Sequence, residues 1–103
     1  MSELFTSAVQ MQNATNYNQW TFDLFKEYIH GDVLEVGCGV GSFTKLINAQ
    51  SKYDTLFAID ISKPAIDFIK TKKFEGEIKI ECIDLMNTEG QYDFIVCMNV
   101  MEH

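Results

Sequence analysis

The chain contains no arginine. Its eight basic residues are all lysine, set against fifteen acidic ones, and the formal net charge is −7. Without the planar guanidinium fork there is no bidentate reader of phosphate or guanine, and a polyanion would meet a repelling average surface. No nucleic-acid partner is expected for this segment. Cysteine is scarce and odd in number: Cys38, Cys82 and Cys97, with no C-x-x-C pair. That excludes the usual zinc and redox motifs and leaves free thiols in a reducing compartment as the expectation. No His/Asp/Glu cluster suggests a metal. No apolar stretch approaches the roughly 20 residues of a membrane span. The first 15 residues have neither a basic start nor a long apolar core, so they do not read as a signal peptide. A cytoplasmic chain without membrane association is expected.

What is present is enough for one small domain: 103 residues, 47% of them hydrophobic, can bury a single core. Residues 1–16 read as a polar arm and 17–103 as the domain. From Tyr17 to Ile29 the residues Tyr17, Trp20, Leu24, Phe25 and Tyr28 recur at helical spacing, and Gly31 stops that helix. Tyr17 and Trp20 are expected either in the core or as an aromatic cover. Asp32 to Val36 reads as a strand. Gly41 to Gln50 reads as a helix with Phe43, Leu46 and Ile47 on one face. Thr55 to Ile61 is an apolar run, a strand buried on both faces. Ser62 is a helix N-cap and the single proline, Pro64, fits the first turn. Ala65, Ile66, Phe68 and Ile69 form that helix's core face, and Lys70, Lys72 and Lys73 complement its negative end. Glu77 to Ile83 alternates, as a half-exposed edge strand should. Tyr92 to Met98 is a fourth strand. Strands alternating with helices imply right-handed crossovers and a parallel sheet, an α/β Rossmann-like fold.

One segment stands apart: Glu35-Val36-Gly37-Cys38-Gly39-Val40-Gly41, at the turn from the first strand into a helix. Glycine without a Cβ admits positive φ and lets a ligand approach the main chain. The carboxyl end of a parallel strand is where α/β folds bind nucleotides. The dinucleotide fingerprint is G-x-G-x-x-G; here the third glycine comes one residue early, and Ser42 stands where that fingerprint has glycine. Glu35 would also face a pyrophosphate with like charge. Cys38 lies near a helix start, a position that can lower a thiol pKa. Asp60 ends the second strand, 23 positions after Gly37, near the offset at which an acidic residue meets a ribose.

The pattern E-x-G-x-G-x-G resembles motif I of class I S-adenosylmethionine (SAM) methyltransferases, and Asp60, Asp84 and the segment 92–103 follow in the order those enzymes show. The resemblance implies a sheet of order 3-2-1-4, with SAM as cofactor and S-adenosylhomocysteine (SAH) as product. It implies Glu35 near the amino end of the methionine and a bend of Gly37, Cys38, Gly39 and Gly41 closing on the ligand. It puts Asp60 on the ribose, Ile61 against the adenine face, Asp84 on the adenine amino group and the Leu85 amide on a ring nitrogen. Asn99 would lie beside the methionine half, and His103, after Glu102, is the one candidate for an acceptor-side base. His30 reads as a helix-end cation. The family has seven strands and this chain supplies four, so a partial domain is expected, acting on a small-molecule acceptor. Its fourth strand, 92–100, would then be an apolar edge apt to pair with another chain. Two alternatives remain: a non-catalytic SAM-binding or protein-interaction module, and, disfavoured by Ser42 and Glu35, an NAD-type dinucleotide domain.

Overall fold

The computed structural model describes residues 17–97. The 1–16 arm, Asn99, Glu102 and His103 lie outside the described residues. The chain is helical over 17–25 (α1) and continues as a 3-10 turn, Lys26–Tyr28. Strand β1 is Asp32–Val36 and helix α2 is Ser42–Gln50. Strand β2 is Thr55–Asp60, helix α3 is Lys63–Ile69, and strand β3 is Ile78–Cys82. A second 3-10 turn, Leu85–Asn87, precedes strand β4, Phe94–Val96. The four strands form one parallel sheet in the order β3-β2-β1-β4, the order the resemblance implied. All four carboxyl ends therefore lie along one edge of the sheet.

Register decides which side chains share a face. Val33 pairs with Leu56 and Phe94, and Glu35 with Ala58 and Val96. On that face Val33, Leu56 and Val96 pack with Phe22, Phe43 and Ile47 from α1 and α2, and Ala58 packs with Ile66 and Ile69 of α3 and with Cys38. All three helices thus cover one side. On the other side Leu34, Val36 and Ile59 are buried with Phe57, Ile83 and Tyr92 against them.

Three sequence expectations need correction. Tyr17, Trp20, Leu24 and Tyr28 are not core residues; each is about 60% exposed. Helix α1 carries two apolar stripes, and the sheet takes the one made by Phe22 and Phe25: Phe25 stacks on Phe43 and Phe94, and Phe22 meets Phe43 edge-on. Strand β2 ends at Asp60, and Ile61 leaves the sheet, 76% exposed. Strand β4 is shorter than its apolar run because Asp93 does other work: its Oδ2 accepts from the Asp32 amide at 2.8 Å and its own amide donates to the Asp32 carbonyl at 2.7 Å. Asp93 thus clamps the start of β1 rather than extending the ladder. Strand β3 is the half-exposed edge that its alternation predicted.

Candidate functional site

Four chain segments meet at the carboxyl edge of the sheet: the glycine bend after β1, Asp60–Ser62 after β2, Ile83–Leu85 after β3 and Cys97 after β4. The bend is left-handed at three alternate positions, with φ of 75° at Gly37, 57° at Gly39 and 92° at Gly41. Gly41 is the position where nothing else fits. A Cβ there would come within 2.7 Å of Ile69 Cδ1 and Cγ1, in a backbone conformation that already disfavours L side chains. This close seat brings the start of α2 against α3.

The bend's amides are engaged within the protein. Gly37 and Cys38 both donate to the Ile59 carbonyl, at 2.9 and 3.0 Å, and Gly41 donates to the Cys38 carbonyl at 3.0 Å. Gly39 donates to Asp60 Oδ2 at 2.8 Å. A dinucleotide fingerprint needs its loop amides turned toward a pyrophosphate; this bend has turned them onto β2 and onto its own Cys38 carbonyl.

Asp60 is half-buried. Besides holding Gly39, its Oδ1 accepts from the Ser62 amide at 2.9 Å. Ser62 in turn caps α3, its Oγ accepting from the Ala65 amide at 3.3 Å. One carboxylate therefore ties the bend to the end of β2, and the capping of α3 falls to Ser62, as the sequence indicated.

Glu35 is the unusual group. It sits in β1 with its side chain on the helix-covered face, 1% exposed. Thr44 Oγ1 donates to its Oε1 at 2.5 Å, while Oε2 has no hydrogen-bond partner among the described residues. Burial, opposed in part by the Thr44 hydrogen bond and helped by the Asp60 charge, raises its pKa from the ordinary 4.5 to about 7. A buried carboxylate with an unpartnered oxygen is costly unless something cationic meets it.

Cys38 is a buried free thiol, not an activated one. The thiol is fully buried, and burial, with the charges of Glu35 and Asp60, pushes its pKa up to about 12. A helix start cannot activate it against two carboxylates, so Cys38 packs and does not attack. Asp84 caps the turn that follows it, Oδ1 accepting from the Met86 amide at 3.0 Å. Leu85 and Met86 beside it are exposed, Met86 by 87%. Ile61, just after β2, is exposed as well. The structure therefore brings Glu35, Gly37, Cys38, Gly39, Gly41 and Asp60 together and places Ile61, Asp84 and Leu85 along the same edge. His30 points elsewhere, its Nδ1 2.7 Å from the Tyr28 carbonyl.

Two participants escaped the sequence reading. Thr44 is buried beside Phe43 and Ile47; a polar residue on an apolar helix face was the available signal. Met86 carried no signal, because a methionine after an aspartate is unremarkable in a loop. A groove of about 400 Å³ at the opposite end of the strands, lined by Asp32, Thr55, Phe57, Lys79, Gly90 and Tyr92 among others, lies away from all these groups. Among the described residues no group of three His, Cys, Asp or Glu could hold a metal, and no helix is long and apolar enough to cross a membrane.

The methyltransferase domain family matches residues 9–103. The chain belongs to the methyltransferase domain family. It is 32% identical over 81 residues to a malonyl-[acyl-carrier protein] O-methyltransferase of Priestia megaterium, covering 77% of this chain and 29% of that relative. It is 36% identical over 76 residues to the mitochondrial ubiquinone biosynthesis O-methyltransferase of Saccharomyces cerevisiae, covering 69% of this chain and 24% of that relative. The methyltransferase chain thus spans less than a third of the length of either relative. Among solved structures its fold is similar to the plantazolicin methyltransferase BpumL in complex with SAH, with a TM-score of 0.70 and 20% identity over 89% of this chain and 39% of that one. It is also similar to the magnesium protoporphyrin IX methyltransferase of Synechocystis PCC 6803 with bound SAM, with a TM-score of 0.67 and 21% identity over 89% of this chain and 46% of that one.

The residues present fit the cofactor that such a family implies. The orphaned Oε2 of Glu35 suits an ammonium, and the half-buried Asp60 carboxylate stands at the end of β2.

Proposed function

We propose that this methyltransferase chain is the cofactor-binding part of an enzyme that uses SAM to methylate an acceptor. The buried Glu35 carboxyl with one unpartnered oxygen, beneath a bend whose amides are already engaged, carries the reading. Such a site favours a cation and gives a phosphate no free amides among Gly37, Cys38, Gly39 and Gly41. When bound, the cofactor supplies a methyl on a sulfonium, which passes to a nucleophile with inversion. The chain's own residues bind and orient. Glu35 holds the ammonium. Asp60 receives the ribose hydroxyls on the lone pairs that Gly39 and Ser62 leave open. Ile61 and Leu85, with Met86, flank the adenine, and Asp84 takes its amino group. Holding the donor in line is the main catalytic contribution available to this half. Asn99 beside the methionine and His103 as acceptor-side base remain part of the proposal and lie outside the described residues.

Both curated relatives are O-methyltransferases by name, which supports an oxygen nucleophile on a small or carrier-bound acceptor. The three free cysteines suit a reducing, cytoplasmic setting. A titration of the chain with SAH, beside one with NAD, tests the reading: heat and thermal stabilisation with SAH alone are expected. Stabilisation by NAD and not SAH overturns it. SAH binding without methyl transfer to any oxygen acceptor, by a protein that carries the full domain, favours the non-catalytic module.

We also propose that the chain pairs with a second copy through the edge of β4, which has no neighbouring strand among the described residues. A twofold axis normal to the sheet would set β4 antiparallel to its mate. It would bring the exposed Tyr17, Trp20, Leu24 and Tyr28 of α1, which lies over that edge through Phe25 and Phe94, against their copies. Four such side chains per copy, two-fifths buried already, offer on the order of 1,000 Å² in the pair, the threshold for a specific interface. Sedimentation of the chain and of Ile95→Pro checks this. A dimer that the proline leaves intact, or a wild-type monomer at high concentration, refutes it.

A further inference from the structure

We propose that Thr44 is a positioning residue for the cofactor, holding Glu35 so that Oε2, and only Oε2, is offered to the cofactor's ammonium. The inference rests on the SAM-binding reading above and concerns a residue which that reading leaves without a role.

The geometry is specific. Thr44 is fully buried in α2. A threonine inside a helix ordinarily turns its hydroxyl back to the carbonyl four residues earlier. Here the hydroxyl donates instead to Glu35 Oε1 at 2.5 Å. Valine would fill the same volume among Phe43 and Ile47 without burying a hydroxyl, so packing does not account for the oxygen. A hydroxyl has one proton, and with that proton on Oε1 the second carboxyl oxygen is left as the acceptor without a partner.

The other groups around Glu35 cannot do this. Its sheet neighbours are Ala58 and Val96. Phe22 of α1 and Phe43 of α2 pack on the same face and are apolar, as are Ile66 and Ile69 of α3. The titratable groups that reach it are Asp60, whose charge opposes ionisation, and Cys38, whose thiol stays neutral. Lys45 and Asp67 are on exposed helix surfaces. Among the described residues Thr44 thus makes the one hydrogen bond favouring the charged form of Glu35.

Removing the hydroxyl therefore has a pH signature. An ammonium binds the carboxylate and not the acid, so SAH affinity of the wild type should climb with pH, up to tenfold per pH unit below the Glu35 midpoint, and level off above it. Thr44→Val should move that midpoint to higher pH, weakening SAH binding several-fold near pH 7 and converging on the wild type by pH 9. Thr44→Ser should follow the wild type. The experiment is calorimetric titration of SAH into the full chain and these variants between pH 6 and 9, in buffers of differing ionisation heat that count released protons. If Thr44→Val does not fold, Thr44→Cys, a weak donor of similar size, should show the same displaced midpoint. A loss of affinity equal at every pH marks a merely structural role and overturns the proposal. No SAH binding by the wild type at any pH overturns the cofactor reading itself and this inference with it.

Discussion

Glu35→Gln puts a number on the buried carboxyl. In the unfolded chain Glu35 titrates near 4.5, and in the fold near 7. Between those values the folded state binds a proton that the unfolded state has released, so stability falls as pH rises. The fall begins above 4.5, is complete once pH passes about 7, and amounts to about 3 kcal/mol at 1.36 kcal/mol per pH unit. Because the group is 1% exposed, solvent screening takes little from this figure. Asp23, the other carboxyl with a displaced pKa, is lowered by its hydrogen bond from Gln19. It therefore acts at the acid end, below this window.

Glutamine removes the titration and keeps the shape. Its carbonyl can accept from Thr44, and its amide replaces Oε2 as a buried group without a partner, a penalty of about 1–3 kcal/mol. The variant should be less stable than the wild type at pH 5, where protonated Glu35 buries one O–H and the glutamine amide buries two N–H donors. It should draw level with or exceed the wild type at pH 8, where the wild type carries a buried charge. Urea unfolding followed by circular dichroism at half-unit steps from pH 4.5 to 8.5 reads both curves, with m-values checked for constancy. A wild-type profile that is flat across this range refutes the reasoning. So does a Gln variant that keeps the wild-type slope, because the slope would then belong to other groups.

Gly41→Ala should lower stability by about 1–3 kcal/mol from its left-handed backbone alone, and further because its Cβ meets Ile69 at 2.7 Å; a variant within 0.5 kcal/mol of wild type by the same urea assay contradicts the bend. Asp60→Asn leaves one acceptor for two amides, Gly39 and Ser62. It should cost about 1 kcal/mol of stability and a larger factor in SAH affinity, and unchanged calorimetric binding would remove Asp60 from the site. At pH 8 iodoacetamide should modify Cys82 and Cys97, which are exposed, while Cys38 stays protected until the chain unfolds. Mass mapping that finds Cys38 modified as fast as the others would show that its burial is wrong.

Much of this fold could be read from periodicity, because parallel strands and their helices leave strong local patterns. Strand β1, helix α2, the Ser62 cap and the half-exposed edge at β3 all follow from short windows. The bend could be read for a different reason: three glycines at alternate positions are expensive for a chain to keep unless the backbone needs them, and each has positive φ. What could not be read was choice among equals. Helix α1 holds two apolar stripes of similar strength, and nothing local says that Phe22 and Phe25 rather than Trp20 and Leu24 meet Phe43 and Phe94. Asp93 looked like the beginning of a strand, because its clamp on Asp32 joins residues 61 positions apart.

The site shows the same division more sharply. Glu35, Asp60 and Asp84 were visible as acidic residues at strand ends, yet the sequence treats them alike and the fold does not. Asp60 and Asp84 each accept backbone amides in place and so serve the loop before any ligand arrives. Glu35 accepts from a single hydroxyl and has an oxygen left over. Register made that difference. A slip of one residue in β1 would turn Glu35 away from the helices toward the face of Leu34 and Val36, where Thr44 could not reach it. The pairing of Glu35 with Ala58 and Val96 is therefore what makes a surface-type residue into a buried acceptor. If the proposed ammonium site is right, its specificity depends on strand register as much as on the acidic side chain itself.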